Sequence, residues 1–172
     1  MTYSCSLVSP PLSQQAQIVL RSVLLPFILL LLLQGCGPKP DVAGDSPIAE
    51  FAGKWVLINY WAEWCVPCIK EIPELNALQQ DHADTIKVLG VNFDRVAGQQ
   101  LQTLAQQMGI GFLQLEQDPG DALRLSRPSA LPATYLFNPS GELAAVLVGP
   151  QTTDSLLSRI QRLQQSTPAD AR

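Results

Sequence analysis

Hydrophobic and polar positions divide the chain into blocks of two periods. The runs Trp55 to Trp61 (W-V-L-I-N-Y-W) and Ile86 to Asn92 (I-K-V-L-G-V-N) are nearly continuous apolar stretches of strand length, the pattern of strands buried on both faces. Between them Ile69, Ile72, Leu75 and Leu78 recur at helical spacing, with Glu71, Glu74, Gln79 and Gln80 elsewhere around the turn, which predicts an amphipathic helix. Pro73 removes one backbone hydrogen bond inside that helix and predicts a kink that turns its first turn away from the sheet. Gln99 to Met108 reads as a second helix stopped by Gly109, Phe112 to Leu115 as a short edge strand, and Gly120 to Ser126 as one or two helical turns after D-P-G. Ala133 to Phe137 and Glu142 to Val148 flank N-P-S-G as the two arms of a hairpin. A last helix, Thr152 to Leu163, gathers Leu156, Leu157, Ile160 and Leu163 on one face, followed by a polar, frayed remainder. Strands alternating with helices and then a hairpin predict an α/β fold, a mixed central sheet flanked by helices with a C-terminal hairpin and helix.

Composition changes this picture in two places. The chain has 172 residues, 47% hydrophobic and 15% charged, with 15 acidic against 11 basic residues, so it holds one domain with a leader and carries no basic surface for nucleic acid. The leader is the apolar run Val23 to Leu33, bounded by Arg21 and by L-Q-G-C at Leu33 to Cys36. It is too short to span a bilayer, which takes about 20 residues, and fits a signal-peptide core of roughly 7 to 15. L-Q-G-C resembles a bacterial lipobox, with Gln34 departing from the usual small or aliphatic residue. That resemblance implies cleavage before Cys36 and a diacylglycerol on its sulfur; an uncleaved anchor or another cleavage site are the alternatives. Met1 to Gln17 is polar and lacks Lys and Arg, which points to a true start near Val19 or Leu20. The proline-rich G-P-K-P-D-V-A-G-D-S-P at Gly37 to Pro47 reads as a tether. The expected organisation is a signal segment 1–35, a lipidated tether 36–47, a folded domain 48–165 and a flexible tail 166–172.

The candidate chemistry lies in W-A-E-W-C-V-P-C, Trp61 to Cys68, at the end of the first strand. With Pro67 in the first helical turn, Cys65 falls at the helix start and Cys68 one turn on, a spacing that lets the pair close a disulfide with little backbone movement. Unpaired N–H groups and the positive end of the helix dipole favour a thiolate at Cys65, the better nucleophile, and leave the deeper Cys68 as the resolving thiol. Competing readings are half a zinc site, a haem attachment site and two inert core cysteines. Zinc lacks ligands, since only His82, Cys5 and Cys36 remain, and haem attachment requires a His where Ile69 stands.

G-K-W-V-L-I-N-Y-W-A-E-W-C-V-P-C-I-K-E-I-P, V-L-G-V-N-F-D and L-P-A-T-Y-L-F-N-P-S-G-E together resemble the thioredoxin superfamily. Within it the chain resembles the tethered periplasmic disulfide reductases related to TlpA, ResA and the cytochrome c maturation thioredoxins, over roughly Ile48 to Leu163. The resemblance implies a thioredoxin-like fold, Cys65 as attacking and Cys68 as resolving thiol, and no cofactor beyond the Cys65–Cys68 disulfide. It places Pro132 as a cis-proline beside the sulfurs and implies that substrate meets Trp64, Val66, Pro67, Leu131 and Pro132. Cytoplasmic thioredoxins carry a buried Asp where this chain has Asn59, so a different base is needed; Glu71, three residues past Cys68, stands where the periplasmic branch has a functional acid. A solvated helix carboxylate is the plainer reading of Glu71. Glu63 is read as tuning local charge or contacting partners.

The implied partners are protein disulfides, such as apocytochrome c or metal-assembly factors, and a membrane electron donor of the DsbD or CcdA type. The implied location is the periplasm, lipid-anchored, with the outer membrane favoured because Gly37 is not the Asp that resembles an inner-membrane retention signal. Two further readings share the fold: a thiol oxidase or isomerase, and a copper chaperone. Mass spectrometry of the mature N-terminus is expected to find diacylglyceryl-Cys36 as residue one, and an unmodified Cys36 would refute the lipidation.

Overall fold

The structure, a computed structural model, describes residues 46–166. The expected signal segment, Cys36, the tether up to residue 45 and the tail from residue 167 lie outside the described residues. Among the described residues no helix is long and apolar enough to cross a membrane.

A single 3-10 turn, Ala49–Phe51, leads into β1 (Trp55–Trp61), whose seven residues are all buried. β2 (Ile86–Asn92) runs parallel beside it, and β3 (Leu113–Gln114) adds a short parallel edge to β2. On the other side β4 (Ala133–Phe137) pairs antiparallel with β1, and β5 (Leu143–Val148) closes the hairpin on β4. The order β3-β2-β1-β4-β5 is thus a mixed sheet with the apolar runs at its centre, as their near-continuous apolar sequence, broken in charge only by Lys87, requires. Three helices complete the domain: α1 (Val66–Asp81), α2 (Gly98–Gln107) and α3 (Thr153–Ser166). β1, β2 and β4 match their expected bounds, and α2 ends before Gly109, which takes the positive φ of 70° that a helix stop calls for.

Alternation along β1 distributes its side chains between two cores. Trp55 and Leu57 pack with Leu75 and Leu78 of α1, Leu136 of β4, and Leu156 and Ile160 of α3. Val56, Ile58 and Tyr60 face the opposite side with Leu89, Val91, Tyr135 and Phe137. At the C-terminal end of β1 a third cluster joins Trp61, Ala62, Cys65, Cys68 and Leu101 of α2. Gly90 of β2 is required here, because a Cβ would overlap the Gln114 amide that crosses it to accept the Trp61 Nε1–H at 2.8 Å.

Two local expectations need correction. Ile69 is 43% exposed rather than part of the buried stripe of α1, which runs through Cys68, Ile72, Leu75 and Leu78. Glu71 joins that stripe and is 1% exposed, although its charge suggests the solvent side. Gly120 to Ser126 forms the shorter of the two expected lengths, one turn: Leu123 N–H donates to Pro119 O, Leu125 N–H to Gly120 O, and Arg124 at φ 53° ends it before a helix develops. α1 itself continues without interruption through the exposed Pro73.

Leu136 is fully buried between the sheet and the α1–α3 layer. Leu136→Ala is expected to lower stability by about 3 kcal/mol, read as a lower urea midpoint at unchanged slope.

Candidate active site

β1 hands the chain at Trp61 to a tight turn in which Cys65 N–H donates to Ala62 O at 3.1 Å. Cys65 then adopts the extended conformation of a helix N-cap, and Pro67 fills the second helical position, where a missing N–H breaks no intrahelical bond. The Cys65 sulfur accepts the Cys68 backbone N–H at 3.2 Å, the place a Ser or Asp oxygen takes at other N-caps. Cys65 and Cys68 are joined in a disulfide with S–S 2.06 Å and Cα–Cα 5.2 Å. Opening that bond leaves the same N–H and the positive end of α1 directed at the Cys65 sulfur, which favours its thiolate. Both cysteines are buried, Cys68 more completely.

The rim is apolar and exposed. Trp64 is 62% exposed, and Val66 and Ile69 stand open beside it. Trp64 is held in place: its Nε1–H donates to Asp94 Oδ2 at 2.9 Å and its ring meets Phe93 edge-on at 6.3 Å. The Arg127 guanidinium lies over the other part of that aromatic pair, 3.9 Å from the Phe93 ring centre, and also donates to Phe93 O. Opposite, the Leu131–Pro132 bond is cis, Pro132 O accepts Gly149 N–H at 2.9 Å, and Leu131 packs against the cluster that contains both cysteines.

One turn past Cys68 lies a buried carboxylate that pairs with no cation among the described residues. Glu71 Oε1 accepts Gln151 N–H at 2.9 Å and Oε2 accepts Asn59 Nδ2–H at 3.0 Å; the same amide nitrogen donates to Thr134 Oγ1 at 3.0 Å. Burial pushes the Glu71 carboxyl up to about 6, and the bonds from Gln151 and Asn59 oppose that rise without cancelling it. One turn on, Glu74 accepts Thr153 N–H at 2.8 Å, which holds its carboxyl below the ordinary value. Glu71 and Glu74 of α1 therefore dock where the chain enters α3, where backbone N–H groups and the helix dipole favour negative charge.

The structure brings Cys65, Cys68, Trp64, Val66, Pro67, Leu131 and Pro132 to one end of the sheet and buries Glu71 one turn past Cys68. Glu63 is exposed beside them. Phe93, Asp94 and Arg127, which support Trp64, and Thr134 and Gln151 beside Asn59 and Glu71 have no role legible in the sequence, where Asn59 itself shows only as the residue in place of a buried Asp. Phe93 and Asp94 follow β2 in the motif V-N-F-D, a signal of place but not of contact. Arg127 and Gln151 lie in loops with no pattern to mark them.

The AhpC/TSA family matches residues 39–146 of the chain. The thiol:disulfide interchange protein HelX of Rhodobacter capsulatus is 35% identical over 116 residues, 67% of this chain and 64% of HelX. The chain thus spans just under two thirds of HelX's length. The thioredoxin-like protein YneN of Bacillus subtilis is 30% identical over 117 residues, 67% of this chain and 68% of YneN. The crystal structure of StoA from Bacillus subtilis superimposes with TM-score 0.53 at 24% identity, covering 63% of this chain and 84% of StoA, and shows that the fold is thioredoxin-like.

Between pH 4.5 and about 6 the folded protein retains the Glu71 proton that the unfolded chain has released. The stability this gives is complete below the lower value and is lost as the pH rises through the upper one, a decline of about 2 kcal/mol. Urea denaturation of the oxidised protein across that interval is expected to show the decline, and Glu71→Gln to lack it; parallel curves would show that Glu71 titrates as an ordinary carboxyl.

Proposed function

The chain belongs to the AhpC/TSA family and has the fold and cysteine pair of a thiol-disulfide oxidoreductase; on that premise we propose that it is a lipid-tethered periplasmic reductase of protein disulfides. The observation that carries this reading is the pairing of two devices on one helix: a Cys65 sulfur that receives the Cys68 N–H at the helix start, and a buried carboxylate one turn past Cys68. The first suits attack and the second suits resolution.

The reaction starts from the dithiol. The Cys65 thiolate attacks one sulfur of a substrate disulfide, the substrate S–S bond breaks, and the departing sulfur takes a proton from solvent. Cys68 then gives its proton to Glu71 and attacks the Cys65 sulfur, and the second substrate sulfur leaves as a thiolate that takes the proton back from Glu71, so that two electrons and two protons have passed to the substrate and Cys65–Cys68 is again a disulfide. Trp64, Val66 and Leu131 supply apolar contact to the substrate chain, and the Leu131–Pro132 loop aligns it. Glutathione is not the bulk reductant of an oxidising compartment, so the pair is recharged by a membrane dithiol donor of the DsbD or CcdA type. Substrates of the kind expected are apocytochromes c or metal-assembly factors. Lipid on Cys36 would hold the domain at a membrane, the outer one by preference.

The direction rests on Val66-Pro67, a dipeptide that resembles reductases, and equilibration with glutathione tests it. A potential near the thioredoxin value of about -270 mV is expected; one near the strong-oxidant value of about -120 mV would make the protein an oxidase. Cys68→Ser is expected to accumulate a mixed disulfide on Cys65 whose partner mass spectrometry can identify. Glu71→Gln should slow resolution about a hundredfold and remove the fall in rate as the pH drops through about 6, the sign required of a base that is inactive when protonated; an unchanged profile would remove Glu71 from the mechanism.

A further inference from the structure

Asn59 sits at the centre of the sheet, 1% exposed, opposite Gly90 on β2 and Thr134 on β4. Its amide nitrogen has two acceptors, Glu71 Oε2 and Thr134 Oγ1, both at 3.0 Å. An ionised carboxylate only accepts, so the amide must turn its nitrogen toward Glu71, and the second N–H bonded to Thr134 keeps it turned that way. The remaining groups around Glu71 are few. On α1 the titratable neighbours are Cys68 one turn before and Glu74 one turn after, the latter taken up by Thr153; Lys70 is exposed. From the α3 side come the Gln151 N–H and, exposed, Asp154. β1 and β4 bring no charge to this face, because Tyr60 and Tyr135 point into the opposite core. The only ion pair among the described residues, Arg127 with Asp118, belongs to that opposite side through the Tyr60–Asp118 bond.

We propose that Asn59 is a positioning residue for proton transfer at the cysteine pair: with Thr134 fixing its orientation, it clamps Glu71 in the ionised, proton-accepting state. The proposal rests on the reading of Glu71 as the acceptor of the Cys68 proton. With no cation paired to Glu71 among the described residues, ionisation of this desolvated carboxylate depends on the donors that face it, and Asn59 is one of the two described. A carboxylate at the same position would reverse the effect, since two acids about 3 Å apart cannot both ionise and would share one proton. Asn59 therefore both admits the charge on Glu71 and keeps a second acid from competing for the proton of Cys68. Because Thr134 is two residues past Pro132, the clamp also joins Glu71 to the strand that leaves the cis-proline loop.

The test titrates Glu71 directly by carbon-13 NMR of its carboxyl in the reduced full chain, alongside the pH profile of thiol-disulfide exchange with a peptide disulfide. Asn59→Ala is expected to raise the Glu71 midpoint by about one pH unit, and the acid limb of the exchange rate should move with it. Thr134→Val, which leaves the Glu71 bond in place and loosens only the amide, should move both in the same direction by less, and it serves as the probe if Asn59→Ala does not fold. Asn59→Asp should split the titration into two coupled steps with the upper one above the wild-type midpoint, and adding Glu71→Gln should restore a single step. A Glu71 midpoint unchanged in folded Asn59→Ala and Asn59→Asp would overturn the clamp while leaving Glu71 as base. A midpoint that moves while the rate limb stays in place would overturn Glu71 as base, and the catalytic role of Asn59 with it.

Discussion

A buried carboxylate that pairs with no cation among the described residues ties together the cysteine end of this domain. Glu71 projects from α1 toward the middle of the sheet, takes one hydrogen bond from β1 and one from the segment entering α3, and so joins three elements at a single point. Burial penalises its charge, and backbone and amide donors restore part of the loss, which leaves the carboxyl at about 6. The interaction that seats the helix is thus the one that sets the proton affinity of the carboxylate one turn past Cys68.

The two faces of β1 divide the remaining labour. Odd positions reach the helical layer, where Asn59 meets Glu71 and Trp61 meets the cysteines. The even position Tyr60 reaches the other side, where its hydroxyl donates to Asp118 at 2.6 Å, and burial together with that acid keeps the phenol protonated well above its ordinary range. Asp118 also accepts Gly120 N–H at 2.9 Å and so pins the turn from which the chain returns with Arg127. Arg127 covers Phe93, and Phe93 braces Trp64. The aromatic rim at the cysteines is therefore supported from the far face of the sheet, by a loop that shares no periodic pattern with it.

That division explains what was legible in the chain. Strands buried on both faces announce themselves as unbroken apolar runs, and β1 and β2 match that pattern to the residue. The cysteine pair and Pro132 were legible because their chemistry depends on local spacing or on a motif. Glu71 was half legible: its distance from Cys68 marked it, yet its charge argued for solvent, and only the donors from Asn59 and Gln151, 12 and 80 residues away in sequence, reverse that expectation. Ile69 erred the other way. In the first turn of α1 the apolar side chain faces the open rim beside Trp64 and Val66, where it leaves hydrophobic surface in water.

Placing the acid on the helix rather than on the strand has a consequence for the redox cycle. A strand carboxylate at position 59 would be fixed by the sheet ladder and would face the helix alone. Glu71 instead moves with the helix that carries both sulfurs, so its distance from Cys68 is set within one helical turn and survives small shifts of the helix on the sheet. What such shifts would change are the donors, since Asn59 belongs to β1 and Gln151 to the approach of α3. A displacement of α1 on the sheet would weaken those bonds and raise the proton affinity of Glu71. Proton acceptance and helix position are coupled through the same two hydrogen bonds, and the sheet supplies the rigid half of that coupling.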